Sequence, residues 1–454
     1  MTSNGVMTCH NSLSDVRVER SANAGSIPVA GGLLDVGQCN ARKYTRMTRA
    51  GMALLLGFVG LLYPSLWKIR PVLAAQTNGA AAQGTPDRNK YVGDRACGSC
   101  HKEQSLPYLH TSHHLTSQLA NKSSVLGSFQ DGSNVLMIVD PARTTAEPGL
   151  YFKMEAKDGG YYETAVTGWG SQLQRRSERM DVVTGSGVRG ATYLYWQGDQ
   201  LFELPVSYWT EGHRWINSPG YENGSANFAR PVNPGCLECH ATYIEALSAD
   251  PLTNRYDRES LVTGISCESC HGPGADHVAR QKDGSAKTAG QAILNPAKLS
   301  RYRQVDLCAL CHSGIQREAT APAFSYVPGR PLSDYFKPLP VETAEHPDVH
   351  GNQVGLLQRS RCYLSLPEMS CSTCHDVHAV ERAAAAYSEK CLQCHQWQNC
   401  GVAKKLGHAI TKNCIDCHMP VEATNVIVSE TGDKVVQAKM RNHWIKVYPD
   451  GGKH

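Results

Sequence analysis

Charge of one sign is scarce in this 454-residue chain: 45 Lys and Arg stand against 41 Asp and Glu. Residues 1–75 hold eight of the basic and three of the acidic residues, which leaves 37 against 38, a net −1, for everything after them. That balance excludes the strongly basic surface that nucleic acid requires, so nucleic acid is not an expected partner. Charged residues make up only 19% of the chain and apolar residues 41%, which excludes a disordered protein. Long apolar runs are also lacking, with one exception at residues 50–63. The 18 cysteines are too thinly spread for a small disulfide scaffold, yet far more numerous than a cytosolic enzyme needs.

The cysteines are patterned. Chance placement of this composition gives roughly 0.03 copies of Cys-x-x-Cys-His, the spacing of c-type haem attachment. The chain has seven: Cys97-Gly-Ser-Cys100-His101, Cys236-Leu-Glu-Cys239-His240, Cys267-Glu-Ser-Cys270-His271, Cys308-Ala-Leu-Cys311-His312, Cys371-Ser-Thr-Cys374-His375, Cys391-Leu-Gln-Cys394-His395 and Cys414-Ile-Asp-Cys417-His418. Two thiols three positions apart on a helical turn can both reach the haem vinyl groups, and the next residue then aims its imidazole at the iron. Zinc sites also use Cys-x-x-Cys, but they pair two such units and do not require His after each second Cys. Seven covalently bound haem c groups, each carrying iron, are therefore expected, with the motif histidines as proximal ligands. Fourteen propionates, against one net positive charge on each of seven ferric porphyrin cores, carry the formal charge from −1 to about −8 in the oxidised state.

Twelve histidines lie outside the motifs; setting aside His10 and His454 leaves ten for seven distal positions. His113, His114, His277, His346, His350, His378, His408 and His443 are the distal candidates, with the pairs His113/His114 and His346/His350 each expected to supply one ligand. His110 and His213 are the weakest claims. His277 and His378 follow their own proximal histidines by six and three residues. At no more than about 3.5 Å per residue, three residues cannot easily round a porphyrin edge, so each is expected to ligate a neighbouring haem. A histidine bonded to a propionate is the alternative. Two ligands on every iron would leave no open position, which suits electron transfer.

The chain divides by motif spacing. Residues 1–46 lack periodicity, and Met47 is the expected natural start. Residues 47–75 read as a signal peptide or membrane anchor: Arg42, Lys43, Arg46 and Arg49 precede the apolar run, and Val72-Leu-Ala74 offers a cleavage site. Residues 76–90 read as a linker, 91–134 as a first haem segment, 135–232 as a β-rich insertion and 233–454 as a six-haem domain. The insertion is expected from short runs such as Tyr161-Tyr-Glu-Thr-Ala-Val-Thr, punctuated by Asp158-Gly-Gly and Gly185-Ser-Gly. Six haems between Cys236 and His418 leave about 30 residues apiece, too few for an ordinary core, so stacked porphyrins are expected to be the core. The expected fold is mainly α with sparse regular structure around stacked haems and a small antiparallel β insertion, α+β overall. Cys362 and Cys400 are the leftover exported thiols, either paired with each other or buried and free.

These residues resemble the multihaem cytochrome c superfamily that includes hydroxylamine oxidoreductase, pentahaem nitrite reductase and a small tetrahaem cytochrome of ammonia oxidisers. The resemblance rests on Tyr91-Val-Gly-Asp-Arg-Ala-Cys-Gly-Ser-Cys-His, Ser266-Cys-Glu-Ser-Cys-His-Gly-Pro-Gly-Ala-Asp-His, Cys371-Ser-Thr-Cys-His-Asp-Val-His and Cys414-Ile-Asp-Cys-His-Met-Pro. It implies that His277 and His378 are distal ligands. Neither catalytic site carries over, because no Cys-x-x-Cys-Lys occurs, the motifs number seven and not eight, and nothing marks a Tyr link. No catalytic residue is assigned.

The expected function is electron transfer outside the cytoplasm, in the periplasm or on the outer face of the cytoplasmic membrane. A redox protein or a membrane quinol-linked donor is the expected partner, with a membrane tether if the apolar segment is retained. The alternative is an oxidoreductase acting on a small inorganic nitrogen or sulfur compound at one five-coordinate haem.

Overall fold

Alternation of apolar and polar residues builds a β-sandwich in the middle of the chain. In the computed structural model, residues 86–140, 147–223, 225–314, 318–337, 345–347, 352–431 and 434–448 are described. They all belong to one contact unit running from Gly84 to His454. The expected start at Met47, the apolar segment at 50–63, linker residues 76–85 and His350 lie outside the described residues. No helix among the described residues is long and apolar enough to cross a membrane.

The strands are β1 (Ser117–Leu119), β2 (Val135–Val139), β3 (Gly149–Lys157), β4 (Gly160–Trp169), β5 (Gln172–Arg179), β6 (Val182–Thr184), β7 (Gly190–Gln197), β8 (Gln200–Trp209), β9 (Arg214–Asn217) and β10 (Arg230–Pro231). One antiparallel sheet has the order β2-β3-β4-β5; the other runs β1-β6-β7-β8-β10, with β9 also on β8. Asp158 and Gly159, at φ 51° and 70°, make the two-residue turn between β3 and β4, where Lys157 pairs with Gly160. Period-2 alternation sends Phe152 and Met154 from β3, Ala165 from β4, Tyr193 and Tyr195 from β7 and Val206 from β8 into one shared core. Trp215 closes it against Phe129, Tyr193 and Tyr208.

Glu163 lies on that same face and is fully buried, with no hydrogen-bond partner for either carboxylate oxygen. Loss of hydration pushes its pKa well up, and the nearby backbone N–H of Val206 eases this only in part.

Two further hairpins follow, β11 (Ala241–Ala246) with β12 (Tyr256–Thr263), and β13 (Val421–Thr431) with β14 (Lys434–Arg441). Among the described residues 28% are strand and 28% helix, with several antiparallel sheets, so the expectation of a mainly α fold is corrected. The reason is physical. A Cys-x-x-Cys-His unit needs only one helical turn, so the haem-bearing segments are short helices; the longest among the described residues is Arg301–His312, of 12 residues. Meanwhile β-branched and aromatic residues carry the chain through residues 117–263 and again through β13 and β14.

Candidate metal centres

Each motif sits on a single turn that brings the first cysteine and the histidine to one side. The N–H of His101, His375, His395 and His418 donates to the carbonyl of Cys97, Cys371, Cys391 and Cys414 at 3.0, 3.0, 2.9 and 3.1 Å. The helices Cys267–His271 and Arg301–His312 carry two further motifs at or near their C-termini, and Asn233 caps the turn Pro234–Leu237 ahead of His240.

Four motif histidines face a second imidazole. Ring centroids lie 6.2 Å apart for His101 and His277, 6.2 Å for His271 and His378, 6.2 Å for His375 and His443, and 6.0 Å for His113 and His312. A first-row metal sits about 2 Å from a ligating imidazole nitrogen, so two imidazoles on opposite sides of one ion have centroids about 6 Å apart. The four pairs therefore fit an iron held between two histidines. His277 and His378 each face a histidine of a different motif from the one they follow.

Hydrogen bonds at the far nitrogen fix the form a ligand needs. Nδ1 of His271, His277 and His443 donates to the carbonyls of Leu294, Ala289 and Arg441 at 2.9, 2.9 and 3.0 Å, and Nδ1 of His418 to that of Lys446 at 2.9 Å. With the proton on Nδ1, the Nε2 lone pair remains for a metal. Burial lowers the pKa of His113, His240, His271 and His375, and holds His443 at about 4, so these rings stay neutral.

The other candidates are placed differently. His114 turns its ring toward Tyr108, with Nδ1 3.4 Å from Asp94. His346 is exposed and bonds Glu422 at 2.8 Å. His408 packs edge-on against Trp397. Among the described residues, His240, His395 and His418 have no second imidazole at the separation of the four pairs. Nδ1 of His240 instead lies 3.1 Å from the hydroxyl of Thr116.

The motifs touch one another. Cys97 and Cys267 are within hydrogen-bond reach, as are Cys308 and Cys371, each pair drawn from two motifs. Cys239 Sγ lies 4.0 Å from the carbonyl of Leu310, and Cys391 is an electrostatic neighbour of both Cys374 and Cys414. Cys362 and Cys400 are free thiols in separate surroundings: Cys362 neighbours Cys374, Cys391 and Cys394, and Cys400 neighbours Cys417.

Two carboxylates tie the first and third motifs together, and spacing alone did not single them out. Glu268, only 1% exposed, accepts the N–H groups of Val92 (2.9 and 3.2 Å), Gly93 (2.8 Å) and Gly274 (2.8 Å). Asp94 accepts the N–H of Cys267 at 2.9 Å. Both carboxylates lie in or beside the motifs, but the backbone groups they serve leave no trace in a sequence.

Comparison with known proteins agrees with this chemistry. Residues 218–272, which contain two of the motifs, match the family described as cytochrome c554 and c-prime. The C-type polyheme cytochrome OmcB of Geobacter sulfurreducens is 31% identical over 99 residues, and OmcC of the same organism 27% over 93 residues. These stretches cover 21% and 20% of this chain, and each amounts to 11% of the relative's own length. The fold is similar to the crystal structure of the outer cell wall cytochrome OcwA, with a TM-score of 0.51 and 18% identity across 80% of this chain and 81% of that one.

Proposed function

We propose that this chain, a multihaem c-type cytochrome with covalently bound haem c, carries electrons through seven haems between redox partners outside the cytoplasm. The observation that supports it most is the set of four imidazole pairs at 6.0–6.2 Å. A haem so ligated, when bound, supplies an iron that exchanges one electron and offers no open position for a substrate.

The residues around it provide the route. Contacts between motifs order the sites: the motif at Cys236 lies against that at Cys308, which adjoins that at Cys371, followed by those at Cys391 and Cys414. The pair at Cys97 and Cys267 joins this line through His113, which faces His312, and His378, which faces His271. The reading is a branched wire whose ends are the second and seventh motifs.

A redox protein or a membrane quinol-linked donor is the proposed partner, and a periplasmic or outer-surface position is proposed from the compartment that haem attachment and the N-terminal segment imply. The outer cell wall cytochrome to which the fold is similar favours the same side of the membrane.

The test is the spin state and haem content of the ferric protein purified from an extracytoplasmic fraction. Seven haems per chain by pyridine haemochrome are expected, with low-spin signals from at least the four irons set between paired histidines. A high-spin fraction near one haem in seven, with turnover of hydroxylamine, nitrite or tetrathionate, would replace the carrier by the oxidoreductase.

A further inference from the structure

Glu268 and Asp94 make a reciprocal clasp. Each is in or beside one haem motif and accepts backbone N–H groups in or beside the other: Glu268 those of Val92 and Gly93, Asp94 that of Cys267. Glu268 also accepts the N–H of Gly274, on the loop leading to His277. Every hydrogen bond its oxygens make is one they accept from a backbone N–H. Asp94 accepts the N–H of Cys267 through one oxygen and lies 3.4 Å from His114 Nδ1 through the other. Of the basic residues just upstream, Arg88 donates to the carbonyl of Phe324 at 2.7 Å, and Lys90 pairs with Asp276 at 3.0 Å.

Two carboxyl groups are thus held between the first and third haem motifs, one of them almost wholly shielded from water. A fixed negative charge in a region of low dielectric favours the more positive, oxidised state of a nearby metal centre. Building on the carrier reading, we infer that Glu268 and Asp94 are positioning residues that make the first and third haems the low-potential pair of the wire, so that they give electrons up to the other sites.

The experiment is a spectroelectrochemical titration of the full, haem-loaded protein and its Glu268→Gln, Glu268→Asp and Asp94→Asn variants, with haem content and spin state measured on each. Glu268→Gln and Asp94→Asn should each move two of the seven waves upward, from the low end of the titration, with haem content and spin state the same as in the unaltered protein. Glu268→Asp, which keeps the charge, should leave those waves in place. Unchanged potentials in both neutral variants, with haem content and spin state intact, would overturn the inference. So would a Glu268→Gln protein with a high-spin haem alongside an Asp94→Asn protein with unmoved waves, since the clasp would then only hold His277. Fewer than seven haems in the unaltered protein would instead count against the carrier reading itself.

Discussion

His375 and His443, on segments far apart in the chain, hold their rings 6.2 Å apart with planes 25° from parallel. The geometry is imposed from several sides. His443 Nδ1 donates to Arg441, its carbonyl accepts from Ser360, and the preceding residue, Asn442, is fully buried and donates from its side chain to Glu345 and Glu422. Replacing His443 by Ala should therefore convert one haem in seven to high spin without loss of covalent haem, because Cys371, Cys374 and His375 are untouched. Replacing His277 should do the same at the first motif. Electron paramagnetic resonance together with pyridine haemochrome checks both; a spectrum that gains no high-spin signal over the unaltered protein rejects the assignment.

Gly264 tests the junction between the first haem segment and the β11–β12 hairpin. It has φ +68°, and a Cβ there would lie 2.1 Å from the backbone oxygen of His114. Gly264→Ala should destabilise the protein by about 2 kcal/mol or more, read from guanidinium denaturation, since the backbone conformation alone costs 1–3 kcal/mol, roughly, for a residue with a side chain.

Glu163 makes stability fall as pH rises. Its pKa is raised in the folded state, so the folded protein keeps a proton that the unfolded chain loses above about pH 4.5, and the folded state is penalised progressively beyond that point. Glu163→Gln removes the dependence. Its stability advantage should grow by about 1.4 kcal/mol per pH unit between pH 5 and the folded-state pKa. Thermal unfolding of the two proteins across that range checks this, and parallel curves would refute it.

Cys362 and Cys400 should both be alkylated in unreduced, unfolded protein, because their cysteine neighbours are different ones. Recovery of one peptide linking them would show the opposite.

What could be read from the sequence was the chemistry that spacing enforces. The seven motifs were evident because covalent attachment demands a fixed interval, and the reach of three residues argued that His378 serves a neighbouring haem. The ligands' partners were not evident. The carbonyls of Leu294, Ala289 and Lys446 are set by tertiary structure, and any residue type supplies the same oxygen. The choice between His113 and His114 turns on which of two adjacent rings the backbone aims at His312, which spacing does not determine. The strand content exceeds what the haem motifs suggest, because each motif needs only one helical turn while segments such as Val421–Thr431 between or after them form strands.

The crossed pairing of histidines also sets a timetable. As the chain is made from its N-terminus, His101 waits for His277, His271 for His378 and His375 for His443. Only His312 finds its partner, His113, already upstream. Each of the three waiting sites stays half-built until a later stretch of chain arrives, and the last of them closes only when His443 does. A chain cut before Arg441 would therefore lose the partner of His375 at the fifth motif, far from the cut in sequence.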